Sequence, residues 1–358
     1  MTSLRLAAAA TCLAALFSQP AGAIEARSLN DTARWLAGVD APATTASQKG
    51  WEGLTQKRTP ALRDFAQKHL AKEQACDTLF YPFSGPDMLN AVSLFPACKK
   101  YILFGLEPVG ELPDLGKLDE KKQAAVRKDM DKAQSYLVAR NYFVTQYMGS
   151  ELRTPHLKGV LPLVSAMLVR TGYELHDYAW ANTDGSKWDA AASTGTPRAI
   201  RLHFGKPGGP EQELFYASFD ASDKGLKNNP GFLRFMEGVT PTATLIKSAS
   251  YLLHDDIFST MRGLVEKSPV LVQDDTGLPY RRLLGSGYKV ELYGDYTGVL
   301  PVFKYRYQPE LARAYAAVQP KEVLQFPWSY MYRIGGVGLQ IARKPVTGPA
   351  VARVASGS

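Results

Sequence analysis

The chain of 358 residues has three cysteines and no Cys-x-x-Cys pair, which excludes dithiol redox chemistry of the usual kind. It contains no His-Glu-x-x-His helix motif and no EF-hand loop, so neither a zincin centre nor a calcium hand is written in it. A Gly-x-Ser-x-Gly elbow and a Gly-x-x-x-x-Gly-Lys-Ser/Thr loop are also missing, which disfavours the common α/β serine hydrolases and P-loop NTPases. The apolar runs Leu6 to Phe17 and Val160 to Val169 fall short of the ~20 residues a spanning helix needs, and the second contains Pro162 and reads as a core helix. No internal repeat or heptad array is present. The 42 basic and 34 acidic residues are spread along the chain, so no basic block marks a nucleic-acid partner.

What is present begins with a leader. Arg5, the apolar run after it and the small residues Ala21-Gly22-Ala23 form a secretory signal pattern over residues 1–23, with cleavage expected before Ile24. Cys12 leaves with it, and loss of Arg5 lowers the basic count to 41 and the net charge to +7. The expected product is an exported, periplasmic or secreted protein without a membrane anchor.

Two cysteines then remain, Cys76 and Cys98. An even count in an oxidising compartment favours a structural disulfide. Each lies three residues before the first strongly apolar residue of a predicted strand, Leu79 and Tyr101, so parallel pairing of the strands sets the cysteines side by side. The bridge closes 22 residues of chain, worth ~3 kcal/mol on loop entropy. The segment Cys76 to Pro113 reads as strand, Gly-Pro-Asp turn, helix and strand, a βαβ unit.

Around it the pattern is that of an α/β protein. Thr59-Pro60 starts a helix with Pro at the first helical position. A long amphipathic helix follows Gly116 with apolar residues at Val126, Met130, Ala133, Leu137, Val144 and Tyr147, and Gly149 is its expected stop. Residues 173–220 carry three strand-like runs joined by Gly-, Pro-, Asp- and Ser-rich turns, an antiparallel insertion. A second βαβ unit covers Thr242 to Asp275, with Val270 to Val272 buried on both faces. The reading is one large α/β domain over residues 24–343, a mostly parallel, Rossmann-like twisted sheet, followed by a disordered tail at 344–358.

In such a sheet ligands bind beyond the carboxyl ends of the strands, and candidate groups gather there. Ser84, Gly85 and Asp87 follow the first strand, where hydroxyl and amide groups suit a ligand and Asp87 suits a metal, a proton or a helix cap. Glu107 ends the second strand, 22 residues after Gly85, a spacing like that from a dinucleotide fold's glycine turn to its ribose-binding acid. One glycine stands where that fingerprint needs three, and an exported protein meets little NAD or S-adenosylmethionine, so neither cofactor is expected. His254 and Asp274 would reach the same edge, and histidine with several carboxylates suits a divalent metal or an acid–base pair. Tyr280 and Arg281 lie just beyond, the arginine suited to an anion and the phenol to a sugar face. Tyr288, Tyr293, Tyr296, Tyr305 and Tyr307 fit either a carbohydrate platform or half-buried strand positions.

Two functional readings follow. One is a hydrolase acting on an envelope-derived or extracellular small molecule or glycan, with Asp87, Glu107, His254 and Asp274 at its centre. The other is a non-catalytic periplasmic ligand-binding or envelope-assembly protein using the same edge.

Overall fold

The computed structural model describes residues 28–40, 45–191, 193, 195–330 and 338–345. The expected leader at 1–23, residues 335–337 of the late glycine run and the tail from 346 lie outside the described residues.

Nine strands form one mixed sheet: β1 (Thr78–Tyr81), β2 (Lys100–Gly105), β3 (Glu174–Ala181), β4 (Ala199–Gly205), β5 (Glu211–Ser218), β6 (Ala243–Ile246), β7 (Val270–Gln273), β8 (Lys289–Gly294) and β9 (Gly338–Arg343). Their order is β3-β4-β5-β2-β1-β6-β7-β9-β8. The expectation of a mostly parallel sheet with one antiparallel insertion needs correction. The parallel pairings are confined to the centre, β5-β2-β1-β6-β7, and both flanks are antiparallel. On one flank β4 and β5 are joined by a short turn, and β3 reaches β4 through the longer connection 182–198. On the other, β9 inserts antiparallel between β7 and β8, a pairing of chain-distant strands that local patterning does not encode.

The central strands are apolar on both faces because both faces are covered. Leu79, Tyr81, Tyr101 and Leu103 point into one core with the helices Thr59–His69, Met88–Leu94, Glu120–Arg140 and Leu161–Arg170. Phe80, Ile102, Phe104 and Phe215 point into the other, under Gly231–Glu237 and Ser259–Val265. Alternation along each strand, period 2, divides the two sets.

The β1–β2 register pairs Leu79 with Tyr101, a constant offset of 22 residues. The same offset brings Cys76 and Cys98 to disulfide distance, with Cα atoms 4.5 Å apart. The long helix ends earlier than Gly149. Asn141, fully buried with φ 65, caps it by donating its N–H to Leu137 O at 2.9 Å, and Thr145–Glu151 is a separate helix. The Arg58 guanidinium seals that end, bonding Leu137 O and Val138 O at 2.9 Å each.

Candidate functional site at the reversal of strand order

From β1 the chain moves to β2 on one side, and from β6 it moves to β7 on the other. The loops leaving β1 and β6 therefore diverge, and a crevice opens between them. Two clefts meet there. One, of about 390 Å³, is lined by Ser84, Gly85, Asp87, Glu107, Lys247, Ser248, Tyr142 and Tyr330 among others, within the ~300–1,000 Å³ usual for ligand sites. The other, of about 180 Å³, runs under Phe83, Phe104, Phe219 and Phe258 and ends at Asp220. Phe83, Gly85, Glu107, Ser248 and Ser250 line both.

The loop after β1 turns tightly through Phe83 at φ 57 and Gly85 at φ 55, and Gly85 N–H donates to Phe104 O at 3.2 Å. At the end of β2, Glu107 Oε2 occupies the space that a Cβ on Gly105 would take. The absence of side chains at 85 and 105 lets the buried Glu107 carboxylate fold back between the two clefts, beside the Tyr216 hydroxyl, which donates to Glu107 O at 3.0 Å.

Asp87 caps the helix Met88–Leu94, accepting from Asn90 N–H at 3.1 Å. Its carboxylate also accepts from Tyr81 OH at 2.9 Å and Asn90 Nδ2 at 2.8 Å. Lys247, directly after β6, is almost fully buried with Nζ 3.8 Å from Asp87 Oδ2, and it donates to Asn141 O. Burial pulls the Lys247 ammonium below its ordinary range, while Asp87 and Asp274 oppose that shift. The result is a buried ion pair at the floor of the larger cleft.

The loop after β6 is held in a sparsely populated conformation. Ser248, Ser250 and Tyr251 have φ values of 51, 52 and 57, each costing ~1–3 kcal/mol unless the surroundings fix it. Asp274 fixes it from below, accepting from Ser248 N–H at 2.8 Å and from Thr276 N–H and Oγ1 at 2.8 and 2.5 Å. Tyr330 fixes it from above, donating to Ser248 O at 2.6 Å and accepting from Ser250 N–H at 3.1 Å. Ser248 Oγ, also buried, has no hydrogen-bond partner among the described residues.

Of the residues singled out from sequence, Ser84, Gly85, Asp87 and Glu107 share the larger cleft. Asp274 does not line it; the residue is wholly buried and serves the β6 loop, and burial raises its carboxyl above the ordinary range. His254 is not at a helix start. It closes a short 3-10 turn, Leu252–His254, with its ring edge-on to Tyr251 at 5.2 Å, outside both clefts. Burial and nearby Arg306 push it down to about 4. The four groups of the hydrolytic reading are thus not gathered at one surface.

Tyr280 and Arg281 belong to a helix, Tyr280–Gly285, rather than a loop at the cleft, and Arg281 is exposed and paired with Glu310 at 2.5 Å. The tyrosines do not form one platform: Tyr288 is buried with its hydroxyl on Ser268 O, whereas Tyr305 is exposed. Among the described residues no three His, Cys, Asp or Glu side chains are grouped to hold a metal, and no helix is long and apolar enough to cross a membrane. A larger cleft of about 630 Å³ lies beside Trp180 and Trp188, but its ionic groups Glu111, Arg153 and Lys158 are all exposed and no buried charge faces it.

Sequence reading missed Lys247, Ser248, Tyr330 and the Phe-lined slot. Lys247 carried a usable signal, a cation immediately after the apolar run Ala243 to Ile246 and before Ser-Ala-Ser. Tyr330 carried none, because it arrives from 80 residues downstream.

No protein-family model matches the chain, and no curated protein matches it.

Proposed function

We propose that this is an exported, Rossmann-like α/β protein that binds a small organic molecule in the two joined clefts at the reversal of strand order. One observation carries the reading: a buried Lys247–Asp87 pair and the buried Glu107 carboxylate all face the crevice in which open α/β sheets take their ligands. Buried charge is costly to maintain, and here three charged groups line one cavity whose loops are strained at four non-glycine residues, Phe83, Ser248, Ser250 and Tyr251. Strain of this kind concentrates at binding and catalytic sites.

The same observation favours binding over the four-residue hydrolytic centre, since Asp87 is saturated by hydrogen bonds and Asp274 holds a turn. Hydrolysis is the second reading, with Ser248 in place of that centre. Its buried hydroxyl lacks a partner and sits on a tight turn straight after a strand, the setting a nucleophilic serine uses in other α/β enzymes. Reaction with a fluorophosphonate probe, lost in Ser248→Ala, would support it; no labelling would remove it.

Thermal unfolding of the mature protein against a panel of envelope metabolites and divalent metals tests the binding reading. A compound that binds only the folded state at ~100 times its dissociation constant adds about 2.7 kcal/mol, and Ser248→Trp, which fills the crevice, should abolish its effect. Absence of any shift across the panel, or an undiminished shift in Ser248→Trp, would count against it.

Export is supported by the leader pattern and by the cysteine pair at disulfide distance. Expressed with its leader in a bacterium, the chain should be recovered from the periplasm or medium with Ile24 at its amino terminus and no free thiol. A cytoplasmic product that retains Met1 would overturn this.

A further inference from the structure

We propose that the cleft beside Trp180 and Trp188 is a glycan-binding site, separate from the crevice and independent of the binding reading above. At about 630 Å³ it exceeds both clefts of the crevice and lies within the range of ligand sites.

Its walls are held in place by the fold. One is a tight hairpin at the end of β3, where Trp188 N–H donates to Trp180 O at 3.1 Å and Asn182 N–H to Ser186 O at 2.8 Å. Arg201, on β4, ties the turn to the sheet by donating to Gly185 O at 2.9 Å. The adjoining wall is the loop after β2, laced to residues 158–161 by backbone bonds from Val160 N–H to Pro108 O at 2.9 Å and from Glu111 N–H to Lys158 O at 3.2 Å. Gly110 and Gly159, at φ 72 and 71, pack backbone against backbone there, and a Cβ on Gly110 would meet Lys158 O. Trp180 Nε1–H donates to Gly110 O at 3.2 Å and joins the walls. Such a cleft needs little ordering when a ligand arrives, which favours binding.

The chemistry of the lining fits a sugar. A pyranose has a face of C–H bonds and an edge of hydroxyls. The electron-rich face of an indole attracts the C–H face, and Trp180 stays 37% exposed while Trp188 is half-buried. For the hydroxyls, the Arg153 guanidinium, the Trp188 indole N–H and the Thr196 hydroxyl line the cleft without a hydrogen-bond partner among the described residues. The Glu111 carboxylate, held 2.9 Å from Lys158 Nζ, supplies an acceptor. That these charges are exposed suits a polar ligand that demands no buried counter-charge.

A peptide fits less well. An extended one would add to a free strand edge, but Trp180 O is already taken by Trp188 N–H. A proline-rich one brings bare carbonyls in need of donors, and the indole N–H of Trp180 is spent on Gly110.

The test is a printed array of neutral and acidic oligosaccharides probed with the purified protein, followed by calorimetric titration of the strongest binder. Trp188→Ala and Trp180→Ala should each weaken that glycan by roughly tenfold or more, the loss of one aromatic contact. Arg153→Ala, at an exposed side chain, should weaken it severalfold with the unfolding midpoint unchanged, and it decides the matter if a tryptophan variant fails to fold. Ser248→Trp, which fills the crevice, should leave glycan affinity as in the wild type. An array without a single bound glycan would overturn the proposal, as would affinity undiminished in both Trp188→Ala and Arg153→Ala. Affinity lost only in Ser248→Trp would place the glycan in the crevice, and displacement of the glycan by a proline-rich decapeptide at equal concentration would make the cleft a peptide groove; either result sinks the proposal and leaves the crevice reading standing.

Discussion

Replacing Asp87 with alanine is expected to destabilise the protein by about 3–5 kcal/mol, the usual consequence of leaving one member of a buried ion pair alone. Lys247 has almost no solvent access, and its Nζ has Asn141 O and the Asp87 carboxylate as its polar neighbours. Without Asp87 the ammonium must either persist uncompensated or give up its proton, and Tyr81 OH and Asn90 Nδ2 lose their acceptor. Lys247→Met in the same chain should recover most of the loss, because a thioether of similar length needs no counter-charge. The measurement is a double-mutant cycle by denaturant unfolding. If Asp87→Ala costs under 1 kcal/mol, or if Lys247→Met in that background recovers nothing, the pair does not carry the floor of the cleft.

The second large effect is a pH dependence in which two neighbouring groups act against each other. Burial, and then the nearby Asp274, push the Asp275 carboxyl up to about 7, while hydrogen bonds from Tyr251 OH at 2.5 Å and Ser329 Oγ at 3.2 Å pull the other way. Between pH ~4 and ~7 the folded state keeps this proton and the unfolded state has lost it. Stability therefore falls as pH rises, by roughly 1.4 kcal/mol per unit. His254, pushed down to about 4, behaves oppositely: between pH ~4 and ~6.5 the unfolded state holds the extra proton, so stability rises with pH.

In the wild type these slopes oppose each other up to pH ~6.5. Asp275→Asn should expose the rising limb, and His254→Gln the falling one. Denaturant unfolding from pH 4 to 8 on the three proteins reads this directly. Three parallel curves would mean that neither group is perturbed in the folded state as described.

Much of the frame was legible because it is local. The βαβ unit, the cysteine offset and the carboxylate after β2 follow from short-range patterning, and a parallel register converts a sequence separation of 22 residues into a contact. Glu107 could be placed because a strand end fixes its direction. Asp274 could be placed at an edge, but whether an aspartate there faces solvent or bonds a neighbouring turn depends on Ser248, 26 residues earlier, which no periodicity reveals.

His254 was misplaced for a related reason. Asp255 and Asp256 look like helix-start residues, yet Asp255 is taken by Arg306 from 51 residues away at 2.5 Å, and Asp256 by Arg262, so the helix begins only at Ser259. Arg281 looked like an anion clamp until Glu310 arrived from the next helix. For Asp255 and Arg281 the partner that decided the role was distant in sequence, and the competing interaction was an ion pair rather than a hydrophobic contact.

The strained loops were equally invisible. Phe83, Ser248 and Tyr251 carry no glycine signature although all three have positive φ values, and the hydrogen bonds that hold the Ser248 turn come from Asp274 and Tyr330, distant in sequence. Phe83 and Ser248 also line both clefts, beside the buried charges.

Amide hydrogen exchange of the purified protein, with and without the panel compound that stabilises it most, tests the central claim most directly. Ligand should slow exchange in residues 83–87, 104–107 and 247–251 together, the three loops that meet at the reversal of strand order. Protection confined to the cleft of Trp180 and Trp188, or spread evenly with none in those loops, would contradict the assignment of the site.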